Sequence, residues 1–138
     1  MSPPTPNQRF PKSVRLRSRR EFDRVYQQGI SRRSGPLIMH AFPNDLPHSR
    51  LGLSVSRRVG NAVRRNRQRR LLREAFRLDR HQLPGGYDVV VTVQPHEPLE
   101  LVEYRRRLAT LFGELDERWT ARIRRHAGAN DEQSDVGR

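Results

Sequence analysis

The segment from Arg57 to Arg77 carries nine arginines and only one acidic residue, Glu74. The stretch from Gly60 to about Arg80 has the spacing of one long helix, and at 100° per residue this helix has two different sides. One side can pack on a protein core, and its members are Gln68, Leu71, Leu72 and Ala75. The roughly opposite side is polar and basic, with Asn66, Arg69, Arg73 and Arg77. The chain must therefore adopt a fold that covers one side of this helix and leaves the other uncovered.

The density of like charge on this helix indicates an anionic partner. Like charges three or four residues apart on a helix cost roughly 0.2–0.5 kcal/mol per pair, and Arg65, Arg69 and Arg73 follow one another at that spacing. A solvated surface is the ordinary interpretation of a charged helical run, but an ordinary exposed helix alternates the signs of its charges. We therefore expect the basic side to bind phosphate groups.

Composition narrows the partner to a nucleic acid and sets the size of the fold. The chain has 138 residues and a formal charge of +13 at pH 7, with 27 arginines and a single lysine, Lys12. This length suits one domain. Arginine binds phosphate through a planar fork and stacks on bases, and nucleic acid is the abundant intracellular polyanion. Because no cysteine is present, disulfides, cysteine-based zinc sites and a cysteine nucleophile are excluded.

The sequence predicts neither a membrane span nor a secretory signal. The longest strongly apolar stretches, residues 37–39 and 89–91, are far shorter than a spanning helix. Residues 1–6 lack the apolar segment of a signal peptide. We expect a cytoplasmic protein with no membrane partner.

The first predicted helix begins at a capping box. Ser18 and Glu21 have the spacing at which each side chain satisfies a first-turn amide near the other. Phe22, Val25 and Tyr26 then fall on one helical face. Gly29 suits a left-handed cap at the end of this helix.

The remaining patterns predict a small α+β fold. Strands are expected at residues 37–42, 51–56 and 87–93, and small residues between the apolar ones in 51–56 would let something flat approach that strand. Helical spacing resumes from Leu101 to Ile123, where Gly113 could bend or split the helix. The order helix, strand, strand, helix, strand, helix suits a sheet covered by helices. We expect a flexible arm at 1–13, a single nucleic-acid-binding domain at 14–126 and a flexible tail at 127–138; the resemblance described next makes the nucleic acid RNA.

Residues 59–77, VGNAVRRNRQRRLLREAFR, closely resemble the signature of the bacterial ribonuclease P protein component family. That family has an Arg-Asn-Arg motif, here Arg65-Asn66-Arg67, which follows Gly-Asn-Ala-Val and precedes a basic pair, here Arg69-Arg70. The strand at 51–56 with Arg57-Arg58, and the helix that ends at Gly29, match as well, so the resemblance covers about residues 14–115. An arginine-rich helix alone would be weak evidence, but this ordered string is specific.

The resemblance implies both a fold and a role. The fold is a two-layer α/β sandwich with about four strands and a left-handed βαβ crossover, similar to a domain of a ribosomal protein and of a translation elongation factor. The role is that of the protein subunit of a ribozyme that removes the 5′ leader from precursor tRNA. Catalysis belongs to the RNA and to Mg²⁺ at its active site, so no catalytic residue, metal site or cofactor is expected in the protein. Its partners would be the catalytic RNA and precursor tRNA, with no obligate protein partner.

The resemblance also assigns residues to two binding surfaces. The cleft for the leader corresponds to Phe22, Tyr26, His40 and Ser54, and His40 stands where relatives often have an aromatic residue. The surface for the catalytic RNA corresponds to Arg57, Arg58, Asn61, Arg64, Arg65, Asn66, Arg67, Arg69, Arg70 and Arg73. From spacing alone, one of Phe22 and Tyr26 is expected in the core. Tyr26 is the one expected to reach solvent, because its hydroxyl needs a partner.

Two other functions are compatible with the residues alone. A plain ribosomal or RNA-chaperone protein would need the charge and the fold but no cleft for a leader. A DNA-binding regulator would place the arginine helix in a major groove, but the exposed side offers few side chains other than arginine for reading bases. A nuclease active site in the protein is disfavoured, since hydrolysis usually needs clustered carboxylates or positioned histidines and the five histidines are scattered over separate elements.

Overall fold

The computed structural model describes residues 12–136, with side chains to residue 128. The α-helices of this part of the chain are α1 (Arg19–Gln28), α2 (Ala62–Asp79) and α3 (Leu101–Val136). Its strands are β1 (Ile30–Ser34), β2 (Leu37–Pro43), β3 (Arg50–Val55) and β4 (Tyr87–Val93). Two short 3-10 turns, Lys12–Val14 and Arg57–Val59, precede α1 and α2.

The four strands form one mixed sheet in the order β1-β2-β4-β3. The β1–β2 and β2–β4 pairs are antiparallel, whereas β3 and β4 are parallel neighbours joined through α2. The predicted α+β class, with a four-stranded sheet and a βαβ unit, is confirmed. The left hand of that crossover stays a prediction from the resemblance.

One face of the sheet forms the main core with α2 and α3. Strand residues on this face include Leu37, Met39, Ala41, Val89, Val91 and Val93, which are all buried. Phe76 of α2 stacks on Phe112 of α3 inside this core, with ring centroids 6.0 Å apart. The predicted apolar side of α2 is confirmed, because Gln68, Leu72 and Ala75 are buried.

The opposite face of the sheet is only partly covered. α1 packs there through Val25 and Phe22, against Val90 of β4 and Leu16 of the preceding segment. Gly52 of β3 lies directly beneath Phe22, because a Cβ at that position would be 2.6 Å from the ring atom Cζ. The surface of β3 that the small residues of 51–56 were predicted to leave uncovered is therefore covered by the Phe22 ring at Gly52. It is partly exposed farther along the strand, at Ser54.

The ends of α1 confirm one local prediction and correct another. The Ser18 hydroxyl accepts the N–H of Glu21, and the Glu21 carboxylate accepts the N–H of Ser18, both at 3.1 Å, so the capping box is confirmed. The left-handed cap at Gly29 is wrong, since this residue is extended, with φ −79° and ψ 168°. Glycine is required there for space: a Cβ would be 2.3 Å from the carbonyl oxygen of Val25 and 2.8 Å from that of Ala41.

Three further features differ from the sequence-based expectations or extend them. β1 was not predicted, because its three central residues are exposed and it lacks apolar alternation. α3 runs through Gly113 without a break and continues to Val136, so the backbone stays helical beyond the predicted domain end at residue 126. Val14, the first residue of the predicted domain, is buried, whereas residues 1–11 of the predicted arm and 137–138 of the predicted tail lie outside the described residues.

No helix within residues 12–136 has the length and apolar content needed to cross a membrane.

Candidate RNA-binding surfaces

The basic side of α2 and the turn before it form a continuous charged surface, which we call the basic ridge. Asn61 caps α2, because its Oδ1 accepts the N–H of Arg64 at 3.0 Å. Most members of the ridge are exposed, and Arg65, Arg69 and Arg73 are partly so. The ridge comprises the ten residues assigned to the catalytic RNA, namely Arg57, Arg58, Asn61, Arg64, Arg65, Asn66, Arg67, Arg69, Arg70 and Arg73.

A buried polar contact sets the rotation of α2 and thereby turns the ridge outward. Gln68 is 3% exposed, and its Oε1 accepts the hydroxyl of Tyr104 on α3 at 3.0 Å. The same hydroxyl accepts the N–H of Leu99 at 3.2 Å and lies 2.7 Å from Nε2 of His96. Because buried polar groups are costly when unpaired, this network favours one orientation of the helix.

The ridge has little compensating charge from its own chain. Among the described side chains, no carboxylate forms an ion pair with Arg57, Arg58, Arg64, Arg65, Arg67, Arg69 or Arg70. The acids near this helix are used elsewhere: Glu74 pairs with Arg77, and Asp79 pairs with Arg105 of α3 at 2.7 Å. The positive charge of the ridge is therefore available to an external anion.

The middle of the ridge is concave. Val63, Asn66, Arg69, Arg70 and Arg73 line a shallow groove, and Asn66 Oδ1 accepts a hydrogen bond from Nη1 of Arg69 at 3.0 Å. Burial, together with the nearby charges of Arg15 and Arg69, lowers the pKa of Arg73. Guanidinium groups held this close to one another form a natural phosphate site.

A second surface lies on the partly covered face of the sheet, beside α1. We call it the cleft, and it consists of Tyr26, His40, Ser54 and Thr92. The Tyr26 ring lies edge-on to that of His40, with centroids 4.8 Å apart, and its hydroxyl is 3.3 Å from Oγ1 of Thr92. Ser54 is the register partner of Thr92 across the parallel strands. The structure therefore brings three of the four residues predicted for the leader cleft to one place.

The fourth predicted cleft residue, Phe22, has a different environment. Its ring packs in the small core beneath α1 and covers Gly52. Tyr26, in contrast, is 38% exposed. The expectation that Tyr26 reaches solvent is confirmed, and Phe22, which is only partly buried, packs against the core.

His40 is the chemically distinctive member of the cleft. Its Nδ1 is buried and has no hydrogen-bond partner among the described residues. Burial lowers the pKa of His40 from its ordinary value of 6.5. The neutral imidazole is therefore favoured, in which one ring nitrogen is a hydrogen-bond donor and the other an acceptor.

Arg15 and Thr92 are two site residues that the sequence reasoning missed. Thr92 interrupts the run of valines in β4, and that break in composition was a usable signal. Arg15 approaches the ridge because its segment pairs with the edge of the sheet: a bridge joins Arg15 to Leu51, and the N–H of Leu16 donates to the Leu51 carbonyl at 3.0 Å. No local pattern predicts that approach.

An ion-pair network anchors α1, which carries Tyr26, to the sheet. Arg50 of β3 donates from Nη2 to Asp88 of β4 at 2.7 Å, and its Nη1 lies 2.9 Å from the Glu21 carboxylate of the capping box. Asn44 also donates to Asp88, at 2.9 Å. The hydrogen bond to Asp88 raises the pKa of Arg50. Asp88 is 2% exposed, so this carboxylate has a structural role.

The described residues contain no group of three or more His, Cys, Asp or Glu side chains placed to hold a metal ion. What the two surfaces offer chemically is binding: guanidinium groups for phosphates on the ridge, and an aromatic ring, an imidazole and hydroxyls in the cleft.

Comparison with known proteins points to one family. The family model described as Ribonuclease P matches residues 10–116. The ribonuclease P protein component of Desulfovibrio desulfuricans is 38% identical over 105 residues, covering 75% of this chain and 81% of that protein. The corresponding protein of Syntrophobacter fumaroxidans is 38% identical over 112 residues, covering 80% of this chain and 94% of the relative.

Solved structures with the same fold carry the same description. The chain is similar to the RNase P protein from Thermotoga maritima, with a TM-score of 0.66 and 33% identity over 71% of this chain and 94% of that one. It is also similar to the Staphylococcus aureus RNase P protein, with a TM-score of 0.64 and 28% identity over 73% of this chain and 99% of that one.

Proposed function

The chain belongs to the ribonuclease P protein component family, and on this premise we propose that its basic ridge binds the catalytic RNA while its cleft holds the 5′ leader of precursor tRNA. Members of this family are the protein subunit of ribonuclease P, the ribonucleoprotein endoribonuclease that matures the 5′ end of tRNA, and they associate with its RNA subunit. The family assignment sets aside the DNA-binding regulator and the plain ribosomal protein.

The observation that carries the proposal for the ridge is its uncompensated charge. Seven of its arginines have no ion-pair partner among the described side chains, whereas Arg105 and Arg106 on α3 are paired. A folded RNA supplies closely spaced phosphates, and neutralising them releases counterions and stabilises the complex. The residues proposed for this contact are the ten members of the ridge, with Arg15 beside them.

The proposal for the cleft rests on the chemistry that a leader of arbitrary sequence requires. Such a leader has to be held through features that every nucleotide shares, which are phosphates and base faces. Tyr26 is an exposed ring on a rigid helix, and His40, Ser54 and Thr92 add hydrogen-bonding groups beside it. Phe22 is partly buried and fixes α1 on β3 through its contact with Gly52, and it is proposed to line the cleft as well.

The phosphodiester chemistry is proposed to belong to the RNA subunit and to the Mg²⁺ ions bound there. This chain is proposed to contribute no catalytic residue and no cofactor of its own, and to need no further protein partner. We also propose that it works in the cytoplasm, where precursor tRNA is available.

Reconstitution of the protein with the catalytic RNA tests the proposal that the RNA carries out the chemistry and the protein contributes binding. Cleavage of precursor tRNA by the catalytic RNA is measured at low Mg²⁺ concentration, with the protein present and absent. We expect the protein to accelerate cleavage and to be inactive without the RNA. Cleavage by rigorously RNA-free protein, or no effect of the protein on the RNA, would overturn the proposal.

A further inference from the structure

The second half of α3 differs in its charge pairing from the first half. In the first half, Arg105 pairs with Asp79, and Arg106 and Arg107 lie against Glu103. From Arg118 to residue 128, where the described side chains end, no carboxylate among the described side chains forms an ion pair with any of the four arginines, which are Arg118, Arg122, Arg124 and Arg125. Among the described side chains of α3, the arginines therefore change along the helix from paired with carboxylates to unpaired with them.

Helical geometry explains why the sequence cannot neutralise these arginines locally. Ion pairs within a helix form between residues three or four apart, and Arg122, Arg124 and Arg125 have no acidic residue at that spacing on either side. Arg118 has Glu114 four residues before it, but Glu114 pairs with Arg32 of β1 at 3.6 Å. The next acid, Asp131, is six residues after Arg125, or about 9 Å farther along the axis.

The arginines share a face that the fold leaves uncovered. Arg118, Arg122 and Arg125 follow one another at spacings of four and three residues, which places them in one stripe. Residues 121–128 are all exposed. The last residue of α3 in the core is Trp119, whose indole N–H donates to the Ala41 carbonyl at 2.9 Å, and Arg122 lies over its ring, 5.1 Å from the centroid. A polar helix without internal ion pairs gains stability from a partner.

We infer that this stripe, Arg118-Arg122-Arg125, is a second electrostatic contact with the catalytic RNA, separate from the basic ridge. The inference rests on the RNA-binding function proposed above. It concerns a part of the chain beyond the region matched by the family model, which ends at residue 116.

The position of α3 in the fold favours the catalytic RNA over the leader as the occupant. α3 packs beside α2 on the core face of the sheet, in the same layer as the ridge, whereas the cleft lies on the opposite face. Trp119 contacts Ala41 of β2, which is in register with Val89 of β4 and, through it, with Leu51 near the start of β3. The ridge begins after Val55, at the other end of β3. One RNA surface that touches both would therefore extend along the length of the sheet.

The test compares two variants of the full-length protein in which the same amount of charge is removed. The first replaces the stripe (Arg118→Gln, Arg122→Gln, Arg125→Gln), and the control replaces paired arginines (Arg32→Gln, Arg105→Gln, Arg106→Gln). Binding to the catalytic RNA alone is measured as a function of salt, and thermal unfolding shows that each variant is folded. We expect the logarithmic salt slope of the stripe variant to be smaller by about 2–3, roughly one for each phosphate that is no longer neutralised. The slope of the control should stay near the wild-type value.

Two results would overturn the inference. In one, the stripe variant and the control have the same salt slope as the wild-type protein. In the other, the stripe variant binds the catalytic RNA normally but the assembled enzyme loses affinity for precursor tRNA, which would make the tRNA the partner. Failure of the proposed function is distinguishable, because the wild-type protein itself would then bind the catalytic RNA with no steep salt dependence.

Discussion

Tyr26 on α1 and His40 on β2 lie edge-to-face, with their ring centroids 4.8 Å apart and their planes at 77°. An edge-on neighbour leaves one face of an aromatic ring available, and edge-to-face pairs stabilise one another beyond simple burial. The Tyr26 hydroxyl lies 3.3 Å from Oγ1 of Thr92, and this contact joins the ring to the sheet. The pair thus presents an aromatic surface beside small polar side chains, a combination suited to stacking a nucleotide base.

Replacing Tyr26 with alanine is expected to weaken binding of precursor tRNA by roughly 1–3 kcal/mol, the value of one base stacked on an aromatic ring. Binding of mature tRNA should be unchanged, because it has no leader. Equilibrium binding of both RNAs to the reconstituted enzyme measures the difference. Tyr26→Phe is the matched control, since it keeps the ring and removes only the contact with Thr92. Equal reductions in affinity for both RNAs would reject a role in holding the leader.

The imidazole of His40 predicts a pH dependence of stability. Burial lowers its pKa below the ordinary value of 6.5, so between the unfolded and folded pKa values the unfolded chain binds more protons than the folded one. The free energy of unfolding should therefore fall as the pH drops below about 6.5 and continue to fall until the folded pKa has been passed. Urea denaturation across this pH range measures it, with His40→Phe as the comparison. A wild-type curve parallel to that of the variant would exclude His40 as the source.

The ridge arginines are expected to contribute to RNA binding and not to stability. Replacing Arg65, Arg69 and Arg70 with alanine should reduce the logarithmic salt slope for the catalytic RNA by about 3. The melting temperature should stay the same or rise slightly, because like-charge repulsion is removed and alanine favours helix.

The control for the ridge variant is the alanine triple at Arg32, Arg105 and Arg106, which removes the same charge from residues that are already paired. Filter binding and thermal unfolding of both variants provide the comparison. Unfolding of the ridge variant would show that those arginines are structural.

Two glycines with different surroundings provide a matched stability test. Gly52→Ala would place a Cβ 2.6 Å from the Phe22 ring, so the ring and α1 must move, and we expect a decrease of about 1–3 kcal/mol in the free energy of unfolding. Gly113→Ala has nothing within 4 Å of the new Cβ and lies inside α3, so we expect an increase of about 0.5–1 kcal/mol. Chemical denaturation measures both, and a tolerated Gly52→Ala would mean that Phe22 does not seal α1 onto the sheet.

Features that depend on neighbours in sequence were predictable. The capping box of Ser18 and Glu21 and the two sides of α2 follow from spacings of three and four residues, and both are confirmed. Gly29 shows where such reasoning fails, because glycine is required there for space beside the carbonyls of Val25 and of Ala41 on β2 and not for its own φ angle. β1 was not predicted either. Its exposed residues are held in the sheet by backbone hydrogen bonds, and these do not require any particular side chains, so the sequence shows no strand pattern there.

The order of residues alone determined that this protein has an arginine-covered helix with one apolar side, and the motif within it identified the family. Side-chain spacing on a helix is a local property, so no other part of the chain was needed. Which residues meet in the cleft depends instead on long-range packing, since Tyr26 and Thr92 come together there from positions 66 residues apart. Long-range packing also determines which arginines are neutralised. Arg50 and Arg105 meet carboxylates on other elements, whereas seven arginines of the ridge form no ion pair with any carboxylate among the described side chains. Such pairings depend on strand order and helix docking, which arise from the packing of the whole core.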